Sequence, residues 1–175
     1  FNYYKINDYS VEITSYYKKE EETDITIPYM IKNYVVCGIE NYCFVNNELT
    51  SVKGLERLKY VGDYGFAEND IESIEIPNNL TSISRSCFMN NNIRDIKIGD
   101  RILDIGERAF KNNKIEILVI PDSVKNIGVN AFCDNNLSVV VLPDKFKNDL
   151  DCLLIFGFDY KKLFEINKNF VEKYL

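Results

Sequence analysis

Cysteine and the acidic residues are the side chains of this sequence best suited by type to do chemistry. Five cysteines, Cys37, Cys43, Cys87, Cys133 and Cys152, lie scattered along 175 residues. A thiol nucleophile works best with a base beside it, commonly imidazole, and the chain contains no histidine. That absence excludes Cys-His and Ser-His-Asp nucleophile pairs, histidine-ligated zinc and imidazole acid-base work. No two cysteines form a C-x-x-C pair, so zinc-ribbon and thioredoxin-like spacings are both missing. The acidic run Glu20-Glu21-Glu22, with Asp24, lacks the alternating oxygen ligands and the glycine of a calcium loop. It reads as a solvated loop. A carboxylate pair could hydrolyse a glycoside, but no spacing singles one out. The expectation is a protein that is no enzyme, with no catalytic residue, no metal site and no cofactor.

Composition narrows the partners. The formal net charge is −6 and the pI is near 4.8, whereas a nucleic-acid binder needs a basic face. No nucleic-acid partner is expected. The longest apolar runs are short, such as Leu153-Leu154-Ile155-Phe156, against the ~18–20 residues of a membrane-spanning helix. No membrane insertion is expected. An odd, scattered cysteine count suits a reducing compartment, or a secreted protein with a free thiol. The chain begins at Phe1 and shows no signal-peptide pattern, which fits a processed chain or a segment of a longer one. A chain of this length buries roughly 70% of its unfolded surface, enough for a real core.

The elements that build that core announce themselves by repetition. Phe44, Phe66, Phe88, Phe110 and Phe132 recur every 22 residues. Three residues after each stands an asparagine: Asn47, Asn69, Asn91, Asn113, Asn135. Two further on comes an aliphatic: Leu49, Ile71, Ile93, Ile115, Leu137. Then follow Val52, Ile74, Ile96, Leu118 and Val140. All four prolines, Pro28, Pro77, Pro121 and Pro143, stand directly after the last strand residue of a repeat. The alternation Ile74, Glu75, Ile76 is strand periodicity, and proline stops the strand because it has no N–H for a ladder bond. The stretch from Ile83 to Phe88 returns on the other side as a short turn or 3₁₀ segment. A small residue precedes each phenylalanine (Cys43, Gly65, Cys87, Ala109, Ala131) and lets neighbouring coils approach.

Five in-phase copies of N-x-I-x-x-I-x-I-P-x-x-L-x-x-I-G-x-x-A-F resemble the BspA-like leucine-rich repeat family, the LRR_5 type, over residues 1 to about 155. The resemblance includes Phe1 to Ile13, which reads like an N-terminal hairpin turning at Asn7-Asp8. It also includes Ile25-Thr26-Ile27-Pro28 with Val36 to Phe44, like a longer first repeat. The fold it implies is an α/β-type repeat solenoid with short parallel strands, an N-terminal β-hairpin cap and a C-terminal helical cap. The implied divisions are 1–24 for the hairpin cap, 25–155 for a solenoid of about six repeats, and 156–175 for the helical cap. In the last division Leu163, Ile166, Phe170 and Tyr174 fall on one helical face.

Each column has a physical task. Stacked coils bury what no single coil can, so the phenylalanines should form one interior stack. The asparagines, with two donors and an acceptor each, should form an interior ladder to loop backbones. Gly54 stands where other copies place Ile76 or Ile120 and implies a bulge or thin packing. Gly99 stands where the fourth copy lacks its proline.

Two outward strand columns remain for a partner. One is Asp24, Ser51, Ser73, Asp95, Ile117, Val139; the other is Thr26, Lys53, Glu75, Lys97, Val119, Val141. Both turn from polar to apolar toward the C-terminus. Ile117, Val119, Val139 and Val141 therefore form the candidate partner-binding patch. The same patch is open to cover by the C-terminal helix or to a homo-oligomer contact. The family resemblance implies a non-enzymatic protein–protein interaction module, adhesin-like and placed at the cell surface or secreted, with a protein partner and a role in cell adhesion. The alternative is a cytoplasmic leucine-rich repeat scaffold or immunity-type partner-binding protein.

Overall fold

A computed structural model of the chain describes residues 1–18, 20–147 and 149–157. Strands β1 (Asn2–Lys5) and β2 (Ser10–Ser15) pair antiparallel. The turn between them is held by Asn7, whose Oδ1 accepts from the amides of Tyr9 and Ser10 at 2.9 and 3.0 Å. Short strands follow: β3 (Asp24–Thr26), β4 (Met30–Ile31), β5 (Tyr34–Ile39), β6 (Ser51–Lys53) and β7 (Tyr60–Val61). Then come β8 (Ser73–Ile76), β9 (Ser82–Ile83), β10 (Asp95–Ile98) and β11 (Asp104–Ile105). The series ends with β12 (Ile117–Val119), β13 (Asn126–Ile127), β14 (Val139–Val141) and one helix, α1 (Asp149–Phe156).

The chain winds into a β-solenoid of about six turns. Its front wall is β3, β6, β8, β10, β12 and β14, which pair parallel as β3 with β6, β8 with β10, and β12 with β14. Its back wall is β5 with β7, and β9, β11 and β13 together. The third wall is turns. There Tyr42, Tyr64, Ser86, Arg108 and Asn130 all hold a left-handed backbone, with φ between 51° and 60°. This conformation lets the amides of Phe44, Phe66, Phe88 and Phe110 reach the carbonyls of Gly65, Cys87, Ala109 and Ala131 in the next coil.

The interior follows the columns. The rings of Phe44, Phe66, Phe88, Phe110 and Phe132 stack at centroid distances of 4.9, 5.6, 5.4 and 5.4 Å, all within 12° of parallel. Tyr16 lies on Phe44 at one end at 5.2 Å, and Phe156 lies on Phe132 at the other at 6.4 Å. Asn69, Asn91, Asn113 and Asn135 form the ladder, each donating to the carbonyl of a phenylalanine in the preceding coil at 2.8–2.9 Å. Asn47 differs: its side-chain amide donates locally to the Val45 carbonyl at 2.8 Å.

Two expectations need correction. The coils carry no α/β character, because the return arm is a two-residue strand and a turn rather than a helix. Gly54 is not thinly packed. Its φ is +86°, and a Cβ there would stand 2.4 Å from the Ile27 carbonyl oxygen, so the position needs glycine for a tight approach. The helix that the structure shows is α1, which begins before residue 156, while the amphipathic stretch from Asp159 to Leu175 lies outside the described residues. Helix C-termini leave carbonyls without intrahelical partners. In α1 those of Leu154 and Ile155 accept from the amides of Asn130 and Phe132. Gly157, with φ +81°, then ends the helix by donating to the Leu153 carbonyl at 2.9 Å.

Candidate partner-binding face

The front wall positions its side chains by strand alternation. Ile74, Leu118 and Val140 point inward and are buried, and the residues between them point out. Register then sets the outward neighbours: Asp24 beside Ser51, Thr26 beside Lys53, Ser73 beside Asp95, Glu75 beside Lys97. At the far end Ile117 lies beside Val139 and Val119 beside Val141.

The polar half of the face is tied together by its own side chains. Ser51 Oγ donates to Asp24 Oδ1 at 2.7 Å and Thr50 Oγ1 donates to the same oxygen at 3.1 Å. These bonds, with Lys53 nearby, hold the Asp24 carboxyl below its usual range. Lys97 Nζ meets Glu75 Oε1 at 2.6 Å, which raises the lysine. Both partners are exposed, so the pair adds little stability.

Among the described residues the apolar half has no such closure. Ile117, Val119 and Val141 are 58%, 54% and 52% exposed, and Val139 is half-buried. A shallow groove of about 740 Å³ crosses the middle of the wall, from Ser51 and Lys53 past Glu75 and Lys97 to Ile117 and Val119. Arg94 and Glu116 also line it. Sequence reasoning missed both. They sit just before their strands, but they share the 22-residue phase and could have been found as a third column.

The thiols make no chemical site. Four of the five are buried and Cys133 is half-buried. Burial pushes the Cys43 thiol up to about 12 and pushes Cys87 up as well, the wrong direction for a nucleophile. Among the described residues no three Cys, Asp or Glu side chains converge to hold a metal ion.

The columns and their closure decide the family. The model of the BspA type leucine-rich repeat region matches residues 10–138 in six copies. The chain belongs to that family. BspA-type repeats are a non-enzymatic scaffold, and leucine-rich repeat proteins generally bind proteins. Among solved structures, a leucine-rich repeat protein from Bacteroides ovatus matches at 25% identity and a TM-score of 0.72. The match covers 82% of this chain and 40% of that one. A leucine-rich repeat protein of T. pallidum, TpLRR, matches at 22% identity and a TM-score of 0.74, over 99% of this chain and 92% of that one. The pneumococcal vaccine antigen PcpA matches at 24% identity and a TM-score of 0.63, over 81% and 39%. The chain thus spans about two-fifths of the length of the Bacteroides and pneumococcal proteins. A search of curated protein sequences finds no match. Among the described residues no helix is long and apolar enough to cross a membrane.

Proposed function

We propose that this BspA-type repeat is a protein-binding module whose partner docks on the front wall, anchored at Ile117, Val119, Val139 and Val141. The observation that carries this is the exposure of three of those aliphatics on the two neighbouring strands β12 and β14. Such a patch, rimmed by the charged groups of Lys97 and Glu116, has the make-up of an interface core with a polar rim. The fitting partner presents an apolar side chain over β12 and β14 and hydrogen-bonding groups over β6 to β10.

An adhesin-like role at the cell surface is the setting we favour. The family supports it, as does the likeness to a pneumococcal protein known as a vaccine antigen. The odd, scattered count of five cysteines favours a second reading, an intracellular scaffold or immunity-type partner. Protease shaving of intact source cells separates the two, because only a surface protein is cleaved.

The docking face is tested with the double variant Val119→Asp, Val141→Asp. With circular dichroism and mass by light scattering unchanged, affinity for a partner isolated by pull-down and then purified should fall at least tenfold. Retained affinity refutes the face. Loss of folding points instead to cover by the chain's own C-terminal segment, and a change in mass alone points to a homo-oligomer contact.

A further inference from the structure

Both long walls of the solenoid part at one level. On the back wall β5 pairs with β7, and β9 with β11 and β13; on the front wall β3 pairs with β6, and β8 with β10. Neither β6 and β8 nor β7 and β9 pair. The front wall is also unpaired between β10 and β12, but there the back wall runs on without a break. The cause lies in one column of the back wall, where Gly62, Ser84, Gly106 and Gly128 recur every 22 residues. The three glycine amides reach the Ile39, Ile83 and Ile105 carbonyls of the preceding coil at 2.7–2.8 Å. A Cβ at Gly62, Gly106 or Gly128 would stand 2.5, 2.6 or 2.3 Å from a backbone nitrogen of that coil, so only glycine permits the approach. Ser84 carries the Cβ and its coil stands off. Its bond to the Val61 carbonyl comes from the hydroxyl instead of the amide. Asn79 adds a second side-chain bridge, donating to the Leu55 and Leu58 carbonyls. On the front edge the Glu72 amide lies 3.4 Å from the Thr50 carbonyl, against 2.7 Å for Thr50 on Thr23 and 2.9 Å for Arg94 on Glu72. The turn wall is intact at this level. The Tyr64, Phe66 and Glu68 amides donate to the Arg85, Cys87 and Met89 carbonyls at 2.9–3.0 Å.

We propose that the level between β6–β7 and β8–β9 is a hinge set by Ser84, with the turn wall as its leaf and the two long walls free to part. Coils of a solenoid hold only their neighbours, so the interface with the fewest bonds opens first. Here two of the three walls lack ladder bonds, and opening separates β1–β7 from β8–β14 as two blocks joined through the turn at Phe66. The Ser84 hydroxyl and the Asn79 amide act as side-chain ties across the gap, each able to break without unfolding either block. The front-wall groove crosses this level, from Ser51 and Lys53 on β6 to Ser73 and Glu75 on β8. Opening moves the two halves of the groove relative to each other, so the wall adjusts its curvature to what docks on it. That consequence rests on the front wall being the docking face, whereas the hinge does not.

Hydrogen exchange of the intact chain, with no partner present, tests the hinge. The Thr50, Glu72 and Arg94 amides stand in one phase, and each bonds to the coil before it. Glu72 should be a minimum, about three- to tenfold less protected than either of the other two. The turn-wall amides of Phe44, Phe66 and Phe88 should show no minimum. Ser84→Gly removes the Cβ, so the amide of residue 84 should gain the protection of Gly106, and Glu72 should rise toward Arg94. Ser84→Ala keeps the Cβ and loses the hydroxyl, so Glu72 should exchange faster still. The Val119→Asp, Val141→Asp variant should keep the Glu72 minimum, which tells a failed docking face from a failed hinge. Equal protection of Thr50, Glu72 and Arg94, a steady rise along the three, or a Ser84→Ala variant as protected as Ser84→Gly overturns the hinge.

Discussion

The Asn91 side-chain amide donates to the Phe66 carbonyl of the preceding coil at 2.9 Å. The same amide group donates to the Phe88 carbonyl at 3.2 Å, and the Asn91 Oδ1 accepts from the Ile71 amide at 3.1 Å. One buried side chain thus satisfies backbone groups of two coils at once. This explains the choice of residue, because aspartate supplies no donor and leucine supplies neither donor nor acceptor.

Replacing Asn91 by leucine should therefore strand the Ile71 amide inside the core, while the Phe66 carbonyl keeps its 3.1 Å bond from the Asn69 side-chain amide. A stranded group costs about 1–3 kcal/mol, and a loss of that order is expected in urea unfolding. Asn47→Ala, at the column's first position, should cost under ~1 kcal/mol. Its side-chain amide bonds only within its own turn. Equal losses at the two positions would refute the cross-coil ladder.

These columns were legible in the sequence because a 22-residue phase pins every inward position several times over. The outward patch was legible for the same reason, since Ile117 and Val119 flank the inward Leu118. What escaped notice is short or aperiodic. Beyond β5 the back wall consists of two-residue strands, too brief to show alternation. The left-handed turn positions carry Tyr42, Tyr64 and Arg108 rather than glycine, so residue type concealed the backbone. In α1, Cys152, Leu153, Ile155 and Phe156 are near-contiguous apolar residues, which gives no helical period to read. Tyr60 and Glu12 meet across 48 residues with no repeat to relate them.

The aromatic stack predicts a gradient along the solenoid. Phe88 has parallel neighbours on both sides, at 5.6 and 5.4 Å. Phe88→Ala should cost about 3–5 kcal/mol, the range for large aromatic truncations in a core. Phe156, tilted by 35° and 6.4 Å from Phe132 at the end of the stack, should cost less when truncated. An unchanged urea midpoint for Phe88→Ala would sink the stack as a source of stability.

Gly54 predicts an outcome opposite to the usual gain from replacing glycine. Alanine commonly stabilises where the backbone suits it, through a less disordered unfolded chain. Here φ is +86° and the added Cβ would strike the Ile27 carbonyl, a backbone atom with no side-chain freedom to yield. Gly54→Ala should lower stability by about 1–3 kcal/mol. A variant as stable as the wild type would show that the first two coils need no close approach there.

The buried thiols predict a loss of stability at alkaline pH with an identifiable source. An exposed cysteine in the unfolded chain ionises near pH ~8.5, whereas burial pushes the folded Cys43 up to about 12 and Cys87 also upward. Between those values the folded chain holds protons that the unfolded chain releases. Stability must then fall as pH rises through that window, from about pH 8.5 toward 12. The matching positions in later coils are Ala109 and Ala131, so Cys43→Ala, Cys87→Ala preserves the column. Urea midpoints compared at pH 7.5 and 9.5 should fall less in the double variant than in the wild type. Native labelling with a thiol reagent at pH 8 should meanwhile modify Cys133 first, since it alone of the five is not fully buried. Equal pH dependence in both proteins, or rapid labelling of Cys43 or Cys87, would show that the small-residue column is open to water.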